Sequence, residues 1–151
     1  MAQYKAAGMG NNSAFMQAFG NTVTEVDTTT PPVALALNDT VDLLRVAGGT
    51  KLVTLEKFNG DCDTGTTLQY SLGYRSASSD GVLATNATFF GSALTDLQAA
   101  VTAGARTKYT FAPVDFNEDV IIFATITAAA TGVSGTPSIT LIGQGIARGI
   151  R

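Results

Sequence analysis

Leu37-Asn-Asp-Thr-Val-Asp-Leu-Leu-Arg-Val46 is followed by Ala47-Gly-Gly-Thr50 and then by Lys51-Leu-Val-Thr-Leu-Glu-Lys-Phe58. After Asn59-Gly-Asp-Cys-Asp-Thr-Gly65 comes Thr66-Thr-Leu-Gln-Tyr-Ser-Leu-Gly-Tyr74. The succession reads strand, turn, strand, turn, strand. Glycine, asparagine and aspartate punctuate it, and threonine and branched residues fill the runs between. In the last run Leu68, Tyr70, Leu72 and Tyr74 share one face, and Thr67, Gln69, Ser71 and Gly73 the other. Ala47 to Thr50 has the length of a hairpin link. The acidic stretch Asp61-Cys62-Asp63-Thr64-Gly65 reads as a hairpin turn whose aspartates bind nearby backbone amides.

Outward from this region the same chemistry recurs. Val33 to Leu37 alternates weakly. Residues 75–91 read as a loop. Ser92 to Ala103 reads as a short inserted helix, with Ser92 as cap, a stripe of Leu94, Leu97 and Val101, and Gly104 as stop. Strands follow at Thr107 to Ala112, Asp119 to Thr127 and Ser138 to Ile146. The middle one is apolar on both faces at its start, which marks a central strand. The expected architecture is all-β: a two-sheet antiparallel β-sandwich, jelly-roll-like, with one inserted helix. Residues 1–32 differ, being rich in Gly and Asn, then in Thr, and ending in Pro31-Pro32. They read as an extended N-terminal arm, and 33–151 as the sandwich domain with a short C-terminal tail. On the arm Phe15, Met16 and Phe19 fall on one face of a helical turn and suggest an anchor for a partner.

Composition narrows the function. Charged residues are 14% of the 151, against about a quarter in ordinary domains. Low charge suits a surface of Thr, Ser, Asn and Gly, or one covered by a partner. Nine basic residues, scattered through a chain of net charge −3, make a poor grip for nucleic acid. No run has the roughly 18 apolar residues that span a bilayer, so no membrane association is expected. The N-terminus lacks an apolar signal core and there is a single cysteine, so synthesis in a reducing cytoplasm is expected.

Chemistry is sparse. The chain has no histidine, which removes Ser-His-Asp triads and histidine metal sites. Cys62 has no histidine to activate it. Asp61-Cys62-Asp63 lacks the later ligands of a calcium loop, and Asp115, Glu118 and Asp119 form at most a weak acidic cluster. Gly143-Gln-Gly145 followed by Gly149 misses the spacing and the context of a dinucleotide fingerprint. No catalytic residue, cofactor or metal is therefore expected, and an enzyme is the least favoured reading. Tyr70, Tyr74, Phe89, Phe90 and Tyr109 offer a sugar platform or, at strand spacing, core packing. Phe89 and Phe90, adjacent in an apparent loop, are an interface candidate or lie together under the helix.

The run Leu37 to Leu43 leading to Ala47-Gly-Gly-Thr50-Lys51 resembles a family of small virion proteins of tailed bacteriophages. So do Asp61 to Gly65 leading to Leu68 through Tyr74, and the strands Asp119 to Thr127 and Ser138 to Leu141. These are the head decoration, or cement, proteins, and the likeness covers most of residues 33–148. It implies a jelly-roll-like domain on the capsid surface that bridges major capsid protein subunits as a homodimer or homotrimer, made in the host cytoplasm. Phe15, Met16, Phe19, Phe89, Phe90, Ile146, Arg148, Ile150 and Arg151 are the expected contact residues. A carbohydrate- or receptor-binding jelly roll, or another virion component of neck, tail or fibre, is the alternative.

Overall fold

A computed structural model describes residues 3–5, 22–31, 33–101, 105–133, 135 and 137–148. Ten strands form two five-stranded sheets. They are β1 (Gln3–Lys5), β2 (Thr22–Thr29), β3 (Thr40–Val46), β4 (Thr50–Asn59), β5 (Gln69–Ser76), β6 (Asn86–Leu94), β7 (Thr107–Tyr109), β8 (Val114–Phe116), β9 (Val120–Ala128) and β10 (Ile139–Ala147). The first sheet runs β1-β3-β9-β5-β6; the second runs β2-β10-β4-β7, with β8 also on β4. The antiparallel pairs are nested: β2 with β10, β3 with β9, β4 with β7 and β8, and β5 with β6. A long antiparallel ribbon rolled on itself gives this order, and it defines a jelly roll. Among the described residues only β1 is parallel to its neighbour, β3.

The period-two pattern explains which side chains lie between the sheets. Tyr70 and Leu72 of β5, Ile122, Ala124 and Ile126 of β9, and Leu52 and Leu55 of β4 are all buried. Each large apolar side chain so placed contributes about 1.5–3 kcal/mol. β9 is central, hydrogen-bonded to β3 on one side and β5 on the other. An extra residue, Val53, lies in β4 where its register with β10 slips between Gln144 and Gly145. This bulge restores Leu55 and Lys57 to the inner face after Leu52.

Several sequence expectations need correction. Ala47 to Thr50 and the 60–68 stretch each carry the chain from one sheet to the other, so neither closes a hairpin. What the acidic turn does do is bind amides. The Asp63 carboxylate accepts the N–H groups of Gly65, Thr67 and Leu68 at 3.0, 2.9 and 2.9 Å, and that of Thr131 at 2.7 Å. Among the described residues there is no helix at Ser92 to Val101. Strand β6 continues to Leu94, and Ala93 adopts a left-handed φ of 52°. Turns follow, whose backbone groups are satisfied from afar. The Val101 N–H donates to Asn59 O, and Leu97 O accepts from the Cys62 N–H. Leu97 is buried in the core, so the apolar spacing reflects packing and not a helical stripe. Part of the presumed 75–91 loop is strand, because β6 begins at Asn86. Thr107 to Ala112 shortens to β7, with β8 as a separate strand, and Val33 to Leu37 forms no strand. In the segment read as an arm, residues 3–5 and 22–29 are strands of the two sheets. Threonine and valine at 22–29 favour such a half-buried pleat.

Candidate interaction surface

The outer faces of the two sheets differ in chemistry. On the second sheet β2 presents Thr22, Thr24, Val26 and Thr28, and β10 presents Thr140, Ile142, Gln144 and Ile146. Across the ladder Val26 lies opposite Ile142, which lies opposite Glu56, and Thr28 opposite Thr140, which lies opposite Phe58. Val26 is 57% exposed, Ile146 41% and Phe58 37%. The Thr28 and Thr140 hydroxyls bond each other at 2.8 Å, and Thr54 Oγ1 donates to Gln144 Oε1 at 3.2 Å. The face is thus uncharged along β2 and β10. Charge returns on β4, with Lys51 at one end and Glu56 farther along, where Arg106 (3.1 Å) and Lys108 (3.4 Å) hold the Glu56 carboxylate. Those two cations keep Glu56 ionised below the usual carboxylate range, the Arg106 hydrogen bond first.

The outer face of the first sheet carries an ion pair. Asp42 is fully buried and accepts two hydrogen bonds from Arg75 Nη2, both at 2.8 Å, and one from Gln3 Nε2 at 2.7 Å. The Arg75 guanidinium lies 5.4 Å from the centre of the Phe123 ring. Its polar groups are largely spent on one another, unlike the bare face opposite.

The expected contact residues divide three ways. Phe15, Met16, Phe19, Ile150 and Arg151 lie outside the described residues. Phe89 and Phe90 pack edge to face at 5.0 Å and join Tyr74 and Phe111 in an aromatic cluster. Phe90 is 5% exposed and Phe89 half-buried, so Phe90 turns its ring to the core. Ile146 stands on the uncharged face. Arg148 follows it, exposed, 3.8 Å from the Asp115 carboxylate. Sequence reasoning missed Val26, Phe58 and Ile142. Their signal was present, for Val26 alternates with Val23, Glu25 and Asp27 across β2, but the threonine-rich composition suggested an arm.

The residues considered for chemistry are engaged elsewhere. Cys62 is buried and burial pushes its thiol up to about 11, away from the reactive thiolate. Asp119 accepts from Arg45 at 2.6 Å and from the Gly48 amide at 2.8 Å, while Glu118 accepts the amides of Val82 and Leu83. Among the described residues no three His, Cys, Asp or Glu side chains gather as a metal site. Tyr70 is wholly buried, which removes it from a sugar platform, and its hydroxyl meets that of the half-buried Tyr109 at 2.8 Å. A groove of about 290 Å³ opens at the β4 edge between β7 and β8, lined by Val53, Thr54, Glu56, Lys108 and Phe111.

Fold and surface together define a jelly roll whose second sheet is uncharged on its outer face along β2 and β10. No protein-family model matches the chain, and no curated protein matches it in sequence. Solved structures do match its fold. A chain of the capsid of Ralstonia phage GP4 superposes with a TM-score of 0.70 at 16% identity, over 99% of this chain and 100% of that one. A chain of the cyanophage Pam1 capsid asymmetric unit gives 0.61 at 18% identity, over 90% of this chain and 92% of that one.

Proposed function

We propose that this chain is a non-enzymatic structural protein of a bacteriophage virion, a decoration or cement protein on the outside of the head. It binds the major capsid protein, bridges neighbouring subunits and works as a homo-oligomer. The observation that carries this reading is the end-to-end match with a phage capsid chain, aligned over its whole length. That chain is covered to 100% by 99% of these 151 residues, so the two are of about the same length. The uncharged β2–β10 face supports it, because the buried centre of a protein interface is depleted in charge. Many copies of a modest interface, each of the standard size of about 1,600 Å², then strengthen a closed shell through multivalency.

Purified protein added to heads that lack it tests the reading. Stoichiometric, saturable binding to the outer surface and greater resistance of the heads to heat are expected. Heads that take up none of it, or uptake only at the neck or tail, would overturn the assignment.

A further inference from the structure

Among the described residues Lys57 is the one lysine in the core, 1% exposed, on the inner face of β4. A buried ammonium costs several kcal/mol unless closely compensated, and an apolar residue of the same volume fills such a position as well. Its surroundings are specific. Nζ donates to Asn59 Oδ1 at 2.7 Å and to the Asp96 carbonyl at 3.2 Å, and lies 3.0 Å from Asp96 Oδ2. That carboxylate oxygen is buried yet accepts no hydrogen bond, so the amine touches it outside hydrogen-bond geometry. The other oxygen, Oδ1, accepts the Tyr70 hydroxyl at 2.6 Å, and Tyr70 in turn meets the Tyr109 hydroxyl. The Tyr70 ring centre lies 5.7 Å from Nζ. Asn59 is fixed in turn, its Nδ2 donating to the carbonyls of Gly60 and Ala99.

From this geometry we infer that Lys57 and Asp96 condense, after folding, to an intramolecular amide that staples β4 to the turn after β6. Burial of Lys57 draws its amine below the usual lysine range, while the Asp96 side chain keeps 29% of its surface exposed. One Nζ proton passes to Oδ2 across the 3.0 Å contact, and the lone pair it frees forms a bond to Asp96 Cγ. The Cγ–Oδ2 bond breaks, and that oxygen leaves as water with the transferred proton and a second one from Nζ, while the Tyr70 hydroxyl hydrogen-bonds Oδ1. No oxidant or cofactor enters the balance. Holding amine and carboxyl in contact supplies the entropy that a bimolecular condensation lacks.

The test is the intact mass of the denatured, purified protein, followed by tryptic mapping. The expected mass is one water below that of the sequence. Cleavage is expected to fail after Lys57, and the peptides 52–75 and 76–106 should emerge joined as one branched species. A Lys57→Arg variant should show the full sequence mass; the wild-type measurement stands alone if that variant fails to fold. An unchanged wild-type mass overturns the proposal and leaves a buried ion pair. Loss of ammonia instead of water also overturns it, because it places the reaction at Asn59, whose Asn-Gly step can also cyclise.

Discussion

Asp63 illustrates how much one side chain contributes where the chain changes sheets. Its carboxylate gathers amides from the turn itself and from Thr131, next to β9's far end. Burial alone would raise its pKa, but the amides of Leu68, Gly65, Thr131 and Thr67 outweigh that and hold it at about 2. The sign of the pH dependence follows from that depression. The stabilisation is complete above the unfolded value of about 4 and is lost as pH falls through about 2. Asp63→Ala should destabilise the domain by about 1–3 kcal/mol at neutral pH through amides left unsatisfied. Thermal melts of both proteins should differ at pH 7 and converge as the pH approaches 2; a constant difference would show that the charge is not what binds the amides.

The edge strand β2 carries the clearest element-scale consequence. Glu25 and Asp27 alternate inward beside Val23 and Thr29. Inward charges on an edge strand discourage pairing with another chain. Burial, first, lifts the Glu25 carboxyl to about 7, with Asp119 adding to the rise; the Ala47 amide and Arg45 oppose it. Because the folded value is raised, the contribution is present in full below the unfolded value of 4.5 and is lost as pH rises through about 7. The wild-type melting temperature should therefore gain relative to Glu25→Gln as pH is lowered from 8 to about 5. Parallel profiles would contradict this placement of Glu25. At this scale the sequence was legible where a pattern is local: Leu68, Tyr70 and Leu72 alternate as read, and β9 is central as its two apolar faces implied. Sheet membership was not legible, because the nesting of β2 with β10 joins residues more than a hundred positions apart. The helix expected at Ser92 failed for the same reason. Leu94 and Leu97 are spaced for a helix, but Leu94 pairs with Tyr70 and the Leu97 carbonyl accepts the Cys62 amide in the crossover after β4.

For the whole molecule, the contrast between the two outer faces marks where partner contact is proposed. Half of that contrast was readable, since Ile146 follows from the alternation of β10. Val26 was hidden in a segment whose threonines resemble a linker. A Val26→Lys, Ile142→Lys double variant alters only outward positions, so its melting temperature should stay close to wild type while head binding falls at least tenfold. A collapse of the melt would show instead that the face supports the fold. Deleting residues 1–20 removes the edge strand β1 and the Gln3–Asp42 hydrogen bond but leaves β2, which begins at Thr22, so the sandwich should still fold, with a lowered melting temperature. If the arm is an anchor, that protein binds heads weakly; unchanged occupancy of heads would refute the anchor.

The most direct measurement is electron cryomicroscopy of heads reconstituted with the purified protein. The account predicts discrete jelly-roll density on the outer capsid surface, with the β2–β10–β4 face against the major capsid protein. Density confined to neck, tail or fibre, or a head-bound domain with that face turned to solvent, would contradict it.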